Sequence, residues 1–246
     1  MIALLRVVAV AVWAVVMFVF GCGYCLLSPR NPKHVFTFGR YFAALSKLFG
    51  IKLELRIPED AYQRGQHIYI ANHQNNWDMF TVSAAVTPKV VTVGKKSLAW
   101  FPLFGQLYWL TGNILIDRAN RSKAKGTIDQ VVNSIKQSDV SIWMFPEGTR
   151  SRGRGLLPFK TGAFHAAIGA GVPIIPIVCS STDGLKLNRW NNGHVIVEML
   201  PPISTEGYRK EDVRKLSNLC HEQMKAKLDS LNSEVAMLNQ QQGVKA

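Results

Sequence analysis

A histidine and an aspartate five positions apart, His73 and Asp78, lie in the run Asn72-His73-Gln74-Asn75-Asn76-Trp77-Asp78, directly after an apolar stretch ending at Ala71. Residues five apart do not share one face of an ideal helix. The two side chains meet only if the chain turns at Asn75 and Asn76 and a helix begins near Trp77, which puts Asp78 in its first turn. A carboxylate there can accept the imidazole Nδ1 proton and leave Nε2 as a base. That is two-thirds of a hydrolase triad, but the chain has no Gly-x-Ser-x-Gly elbow and no cysteine in a nucleophile's setting. A His–Asp pair without a nucleophile points to direct activation of a substrate hydroxyl. The spacing alone equally allows a capping aspartate and a hydrogen-bonded structural histidine.

A second loop carries anion-binding residue types. Phe145-Pro146-Glu147-Gly148-Thr149-Arg150-Ser151 follows an apolar run from Val140 to Met144. Gly148 permits close backbone approach, Thr149 and Ser151 offer hydroxyls, and Arg150 is suited to bidentate phosphate binding. Arg152, Arg154 and Lys160 extend the positive surface. An ordinary solvated basic loop is the competing reading. Glu147 argues against it, because a carboxylate inside a basic loop usually orients an arginine or a ligand hydroxyl.

The elements that must position these loops are written in the apolar pattern. Ile51 to Ile57 alternates and reads as a strand with one wet face. Short β-branched runs recur at His67 to Ala71, Val90 to Val93, Ile114 to Ile116, Val140 to Phe145, Ile174 to Val178 and Val195 to Leu200. Helical stretches lie between several of them, at Trp77 to Val86, Ser122 to Gln137 and Lys160 to Gly169. Strands alternating with helices predict an α/β fold, with a mixed, largely parallel sheet flanked by helices. Chemistry in such sheets gathers in loops at the carboxyl ends of strands, where both loops fall. A long charged helix from Tyr208 to Leu238 closes the chain, its apolar side supplied by residues such as Leu216, Met224 and Leu231. No internal repeat and no linker rich in Pro or Ser divides residues 51–246, which read as one domain.

Residues 1–50 have a different character. Val7 to Leu27 is 21 residues without a charge, about 32 Å long as a helix and close to the hydrocarbon thickness of a bilayer. It is too long for a cleaved secretory signal, and no small-x-small site follows it. Val19-Phe20-Gly21-Cys22 loosely resembles a lipoprotein signal, with a bulky Phe20 where a small or β-branched residue belongs. Arg30, Lys33 and His34 outweigh Arg6, which places the rest of the chain on the cytoplasmic side. Phe38, Tyr41, Phe42, Leu45, Leu48 and Phe49 then recur at spacings of three and four. That is the pattern of a core helix or of an aromatic, basic helix in the membrane interface, and the apolar neighbour favours the latter. Residues 1–50 are therefore expected to form a membrane anchor, a hydrophobic helix followed by an amphipathic one.

Charge narrows the partners. Lys and Arg total 29 against 16 Asp and Glu, a formal net charge of +13. Between Arg30 and Lys160 the count is 19 basic against 8 acidic, whereas Glu206 to Glu234 balances at 6 and 6. The partner expected of the first two-thirds is anionic. Hydrophobic residues at 48% and charged ones at 18% exclude a disordered chain or a coiled coil. No nucleic-acid recognition motif is present, which argues against that class. Cys22, Cys25, Cys179 and Cys220 lack zinc-ligand spacing and do not make a disulfide framework, so they read as reduced cytosolic thiols.

Together, Asn72-His73-xxxx-Asp78 and Phe145-Pro146-Glu147-Gly148-Thr149-Arg150-Ser151, in this order, resemble the glycerolipid acyltransferase family, and its bacterial members most. Gly112-Asn113-Ile114-Leu115-Ile116-Asp117-Arg118 and Val172-Pro173-Ile174-Ile175-Pro176-Ile177 match two further family blocks, and the likeness runs nearly end to end. The resemblance implies transfer of a fatty acyl group from an acyl carrier protein or coenzyme A thioester to the sn-2 hydroxyl of 1-acyl-glycerol-3-phosphate (lysophosphatidic acid). The product would be phosphatidic acid, in phospholipid biosynthesis. By the family pattern His73 is the general base and Asp78 fixes its tautomer. Glu147, Gly148, Thr149, Arg150, Lys95 and Arg118 carry over as substrate-binding residues. Arg150 and Lys95 would meet phosphate, and Glu147 would hold the glycerol end or orient the arginine. No metal or cofactor is implied beyond the thioester co-substrate, which is already activated. The implied partners are lysophosphatidic acid, the thioester donor and membrane lipid, at the cytoplasmic face of a bacterial inner membrane. A family member using glycerol-3-phosphate or a lysophospholipid is the alternative. A non-catalytic module binding anionic lipid is another, and it leaves His73 and Asp78 without a role.

Overall fold

The short β-branched runs form strands: β1 (Ile51–Arg56), β2 (Ile68–Ala71), β3 (Val90–Lys95), β4 (Ile114–Ile116), β5 (Ser141–Met144), β6 (Ile174–Cys179) and β7 (Gly193–Met199). The computed structural model describes residues 1–63, 65–116 and 124–244, so Arg118 lies outside the described residues. The strands join in one sheet in the order β1-β7-β6-β2-β5-β3-β4. Neighbours are parallel except at β6 and β7, which pair antiparallel. The sheet is therefore mixed and largely parallel, as the alternating pattern predicts. β6, β2, β5, β3 and β4 share one direction, which sets their carboxyl ends along one edge. Every residue of β2 and β6 is buried, as befits central strands covered on both faces.

The helices are α1 (Ile2–Leu26), α2 (Lys33–Ala44), α3 (Gly105–Leu110), α4 (Ala124–Ser138), α5 (Gly162–Ala170) and α6 (Val213–Gln241). α6 buries Leu216, Cys220, Met224, Leu228, Leu231 and Val235 at helical spacing and packs on β6 and β7. Its far end is tied to β1 by Arg56, whose guanidinium donates to Glu234 at 2.8 Å and to Glu54 at 2.7 Å. α5 ends at Gly171, whose left-handed φ of +70° lets the Val172 N–H return to the Ala167 carbonyl at 3.1 Å. That turn feeds β6.

The stretch Trp77–Val86, expected as one helix, is two three-ten turns instead, Asn76–Met79 and Val82–Ala85. Asn75 caps the first, its Oδ1 accepting the Trp77 N–H at 2.9 Å. Between the turns, β-branched Thr81 departs from ideal helical dihedrals (φ −114°, ψ −66°).

α1 exposes one apolar side, including Leu4, Leu5, Val12, Val19 and Phe20, while Val10, Trp13 and Met17 pack against the domain. Both of its ends are held. The Arg6 guanidinium, buried, donates to the carbonyls of Leu48 at 2.9 Å, Leu187 at 2.8 Å and Arg189 at 2.5 Å. It also lies 5.9 Å from the ring centres of Phe49 and Trp190. Toward the other end, Cys25 packs with Phe38 and Leu107, and a Cβ at Gly21 would stand 2.9 Å from the Phe38 ring.

The amphipathic stretch after α1 is helical to Ala44 and continues as turns to Gly50. Val35, Phe38, Leu45 and Phe49 are buried, while Arg40, Tyr41, Lys47 and Leu48 face outward. The Phe49 ring meets those of Trp77 and Phe80 at 4.9 Å each. This segment thus supplies part of the wall around the His73 loop.

Candidate active site

Beyond β2 the chain stays extended, and its side chains alternate between two environments. Asn72 and Gln74 point toward the loop after β6. Asn72 Nδ2 donates to the Cys179 carbonyl at 2.9 Å and its Oδ1 accepts the Cys179 N–H at 2.8 Å. Gln74 Nε2 donates to the Ser180 carbonyl at 2.8 Å, and its Oε1 accepts the Thr182 N–H at 3.0 Å. His73, between them, faces a cavity. The loop after β5 runs alongside, with the Ser151 N–H donating to the His73 carbonyl at 2.8 Å and the Arg152 N–H to the Gln74 carbonyl at 2.9 Å. These bonds fasten the two loops together and hold His73 from both sides.

His73 Nδ1 lies 2.6 Å from Asp78 Oδ2. The three-ten turn returns Asp78 to the histidine, which a straight α-helix from residue 73 would not do. The same carboxylate oxygen accepts the Gln74 N–H at 2.8 Å. Asp78 Oδ1 is buried with no hydrogen-bond partner among the described residues. The Phe145 ring stacks on the imidazole, 4.1 Å between centroids and 20° between planes, and fixes its orientation. Sequence reasoning assigned no role to Phe145; its place at the head of the second loop was the available signal. Cys179, the thiol near this pair, is fully buried. Burial and the charge of Asp78 push its pKa far up, which leaves it inert as a nucleophile.

Glu147 is placed differently from its expected substrate-binding role. It is 3% exposed and lies beneath its loop, where Oε1 accepts the His73 N–H at 2.6 Å and Oε2 the Leu157 N–H at 3.0 Å. Its hydrogen bonds go to these two backbone donors and to no arginine among the described residues. Burial raises its pKa, while the His73 and Leu157 N–H groups pull it back. Glu147 therefore braces the two loops against each other rather than reaching the cavity.

The cavity has a volume of about 770 Å³. Exposed Lys95, Thr149, Arg150 and Arg152 stand on its walls with Gly148, making a cationic mouth. Lys95 lines it and Lys96 does not. Buried Val35, Phe38, Val82, Val86 and Leu107 make an apolar interior. His73 and Asp78 line the same space. Of the expected site residues, the fold brings together His73, Asp78, Lys95, Gly148, Thr149 and Arg150. It puts Glu147 behind them. Such a cavity fits a molecule with an anionic head and a hydrocarbon tail, its hydroxyl within reach of an imidazole.

The fold and the site define an α/β enzyme whose His–Asp pair faces a cavity with cationic and apolar walls. The family model described as Acyltransferase matches residues 52–180. The chain is 61% identical over 237 residues to the 1-acyl-sn-glycerol-3-phosphate acyltransferase of Escherichia coli (strain K12), covering 96% of this chain and 97% of that one. With the enzyme of that name from Haemophilus influenzae it shares 53% identity over 240 residues, 97% of this chain and 100% of the relative. With 1-acyl-sn-glycerol-3-phosphate acyltransferase alpha of Homo sapiens it shares 32% over 209 residues, 84% and 74% of the two chains. The chain belongs to the acyltransferase family and is an acyltransferase. The crystal structure of the 1-acyl-sn-glycerophosphate (LPA) acyltransferase PlsC from Thermotoga maritima has the same fold, with a TM-score of 0.71 at 23% identity over 93% of this chain and 95% of that one.

Proposed function

We propose that this acyltransferase moves a fatty acyl group from an acyl carrier protein or coenzyme A thioester to the sn-2 hydroxyl of 1-acyl-sn-glycerol-3-phosphate, giving phosphatidic acid and a free thiol. The observation that carries this reading is the opening of the His73–Asp78 pair onto a cavity with a cationic mouth and an apolar interior. The names of the relatives support the acceptor.

With Asp78 on Nδ1, His73 Nε2 takes the proton of the sn-2 hydroxyl as its oxygen attacks the thioester carbonyl carbon. The ester C–O bond forms, the C–S bond breaks, and the imidazolium proton leaves with the thiolate sulfur. General-base catalysis of this kind is typically worth about 10²–10⁴-fold. Arg150 and Lys95, with Arg152 beside them, hold the phosphate; Arg118 is a further ligand by family resemblance alone. Gly148, at φ +70°, turns the loop so that Thr149 and Arg150 face the cavity. The apolar interior takes an acyl chain.

The apolar surface of α1 and the positive charge support a place at the cytoplasmic face of a bacterial inner membrane. Because both ends of α1 are fastened to the domain, this helix lies along the membrane face rather than leading away from it as a lone span.

The experiment is acyl transfer from a labelled long-chain thioester to 1-acyl-sn-glycerol-3-phosphate, with wild type beside His73→Ala and Arg150→Ala. Phosphatidic acid from wild type, near-total loss with His73→Ala and a raised acceptor KM with Arg150→Ala is the expected result. A folded, vesicle-bound wild type that acylates glycerol-3-phosphate or a lysophospholipid instead would overturn the acceptor.

A further inference from the structure

Away from α1 and the Leu27 that follows it, exposed large apolar side chains gather on the segment that joins β3 to α3. Trp100 is 83% exposed and Phe101 62%, followed by exposed Leu103 and, on α3, Trp109. Single exposed apolar residues are ordinary, but four in one short stretch form a patch that calls for a partner. The segment is not a slack tail. Phe101 N–H donates to the Leu98 carbonyl at 3.0 Å and Gly105 N–H to the Phe101 carbonyl at 2.8 Å. Leu103 sits at a left-handed φ of +62°, an uncommon conformation for a leucine. A Cβ on Gly105 would stand 2.2 Å from the Leu98 carbonyl, so the two arms of the loop are in contact. The aromatic tip is held outward.

Three facts identify what it meets. First, the loop's inward side chains, Leu98 and Phe104, line the cavity. Second, it adjoins α1: Leu107 packs with Cys25, and the Phe104 ring lies 6.3 Å from that of Phe42, which contacts Trp13 at 4.8 Å. Third, the patch is fringed by cations. Lys95 and Lys96 precede it, and the Arg30 guanidinium lies 5.1 Å from the Trp109 ring centre. Exposed Trp and Phe beside Lys and Arg, continuous with an unburied apolar helix, suit the headgroup boundary of an anionic bilayer better than a soluble protein surface.

We propose that the Lys96–Phe104 loop is a second bilayer-insertion element, which sinks Trp100 and Phe101 into an anionic membrane and sets the Leu98–Phe104 wall of the cavity at the level of the acyl chains. A single-chain lipid acceptor then enters the cavity from the bilayer, not from water; this entry step rests on the acceptor proposed above. Neither Trp100 nor Phe101 lines the cavity, so replacing them leaves the chemistry alone.

The test uses the full chain bound to vesicles of phosphatidylethanolamine and phosphatidylglycerol, with bromine on the lipid acyl chains as a quencher of tryptophan fluorescence. Trp100→Phe is expected to pellet with vesicles as wild type does, yet to lose part of the bromine-quenched emission. Trp100→Ser with Phe101→Ser is expected to raise KM about tenfold for a long-chain acceptor held in vesicles, and to leave KM for a short-chain, water-soluble acceptor unchanged. Equal quenching of vesicle-bound wild type and Trp100→Phe would overturn loop insertion while leaving the α1 anchor in place. A wild type that does not pellet overturns membrane association altogether. Bromine quenching without acyl transfer would support the loop and overturn the acceptor.

Discussion

Gln74 donates its backbone N–H to Asp78 Oδ2 at 2.8 Å, on the oxygen that also accepts His73 Nδ1 at 2.6 Å. The peptide that follows the proposed base thus helps to hold the base's partner. Gln74 is itself fixed by both ends of its side chain to the Ser180–Thr182 segment, so the pair is anchored to the end of β6, about a hundred residues away in sequence. Asp78 Oδ1 has no partner among the described residues, and an unsatisfied buried carboxylate oxygen is costly. Oδ2, which carries both donors, is the oxygen that faces the imidazole as it takes up the hydroxyl proton during transfer.

Asp78→Asn keeps an oxygen for both donors but removes the charge. We expect kcat to fall about 10³–10⁴-fold with the acceptor KM within a few-fold of wild type and the thermal midpoint little changed. Steady-state kinetics on the purified variant decide it. A kcat within tenfold of wild type would sink the proposed role of the pair.

Much of the fold and of the site is legible in the sequence. The strands follow from β-branched runs, and the two loops follow from residue types at strand ends. Other features rest on contacts that local sequence does not encode. Glu147 looked like a ligand or arginine partner because it sits among arginines, yet its bonds reach His73 and Leu157, whose approach only the folded sheet creates. Trp77–Val86 has a helical apolar pattern, but Thr81 divides it into two turns; the first, capped by Asn75, is the one that returns Asp78 to His73. Arg6 reads as a flanking charge of an apolar helix, while its acceptors lie as far as 184 residues along the chain.

Glu147→Gln tests the brace. Its amide nitrogen cannot accept a backbone N–H, so one of the two donors is orphaned at a cost of about 1–3 kcal/mol. Wild-type Glu147 has a raised folded pKa, so the native state takes up its proton at higher pH than the unfolded chain does. Stability contributed by this group therefore rises as pH falls through the folded value toward the ordinary carboxylate one, and glutamine has no such slope. Denaturant melts should show the variant less stable at neutral pH, with the gap widening across that acidic window. A gap that narrows there would contradict the assignment.

The apolar interior makes a prediction about chain length. Val86 is buried and lines the cavity, and Val86→Phe fills space that a hydrocarbon tail would occupy. Rates with long-chain thioesters relative to medium-chain ones should drop about tenfold, because a few methylenes of lost room are worth that much discrimination. Parallel assays across a thioester series give the answer. An unchanged preference would move the acyl chain out of this cavity.

Arg6 carries the last prediction. Its guanidinium fork joins α1 to the Leu48 turn and to the loop between β6 and β7, through carbonyls of Leu48, Leu187 and Arg189. Hydrogen bonds from a charged donor are worth about 1.5–3 kcal/mol each, and two of the three act on the loop between β6 and β7. Arg6→Ala should lower the thermal midpoint of the vesicle-bound protein and expose Lys186 and Arg189 to trypsin. Arg6→Lys should fall between the two, since an ammonium lacks the planar fork that reaches several carbonyls at once. Limited proteolysis followed over time reads this directly. Equal cleavage in all three proteins would mean that the loop holds its shape without α1, and that the helix is fastened elsewhere.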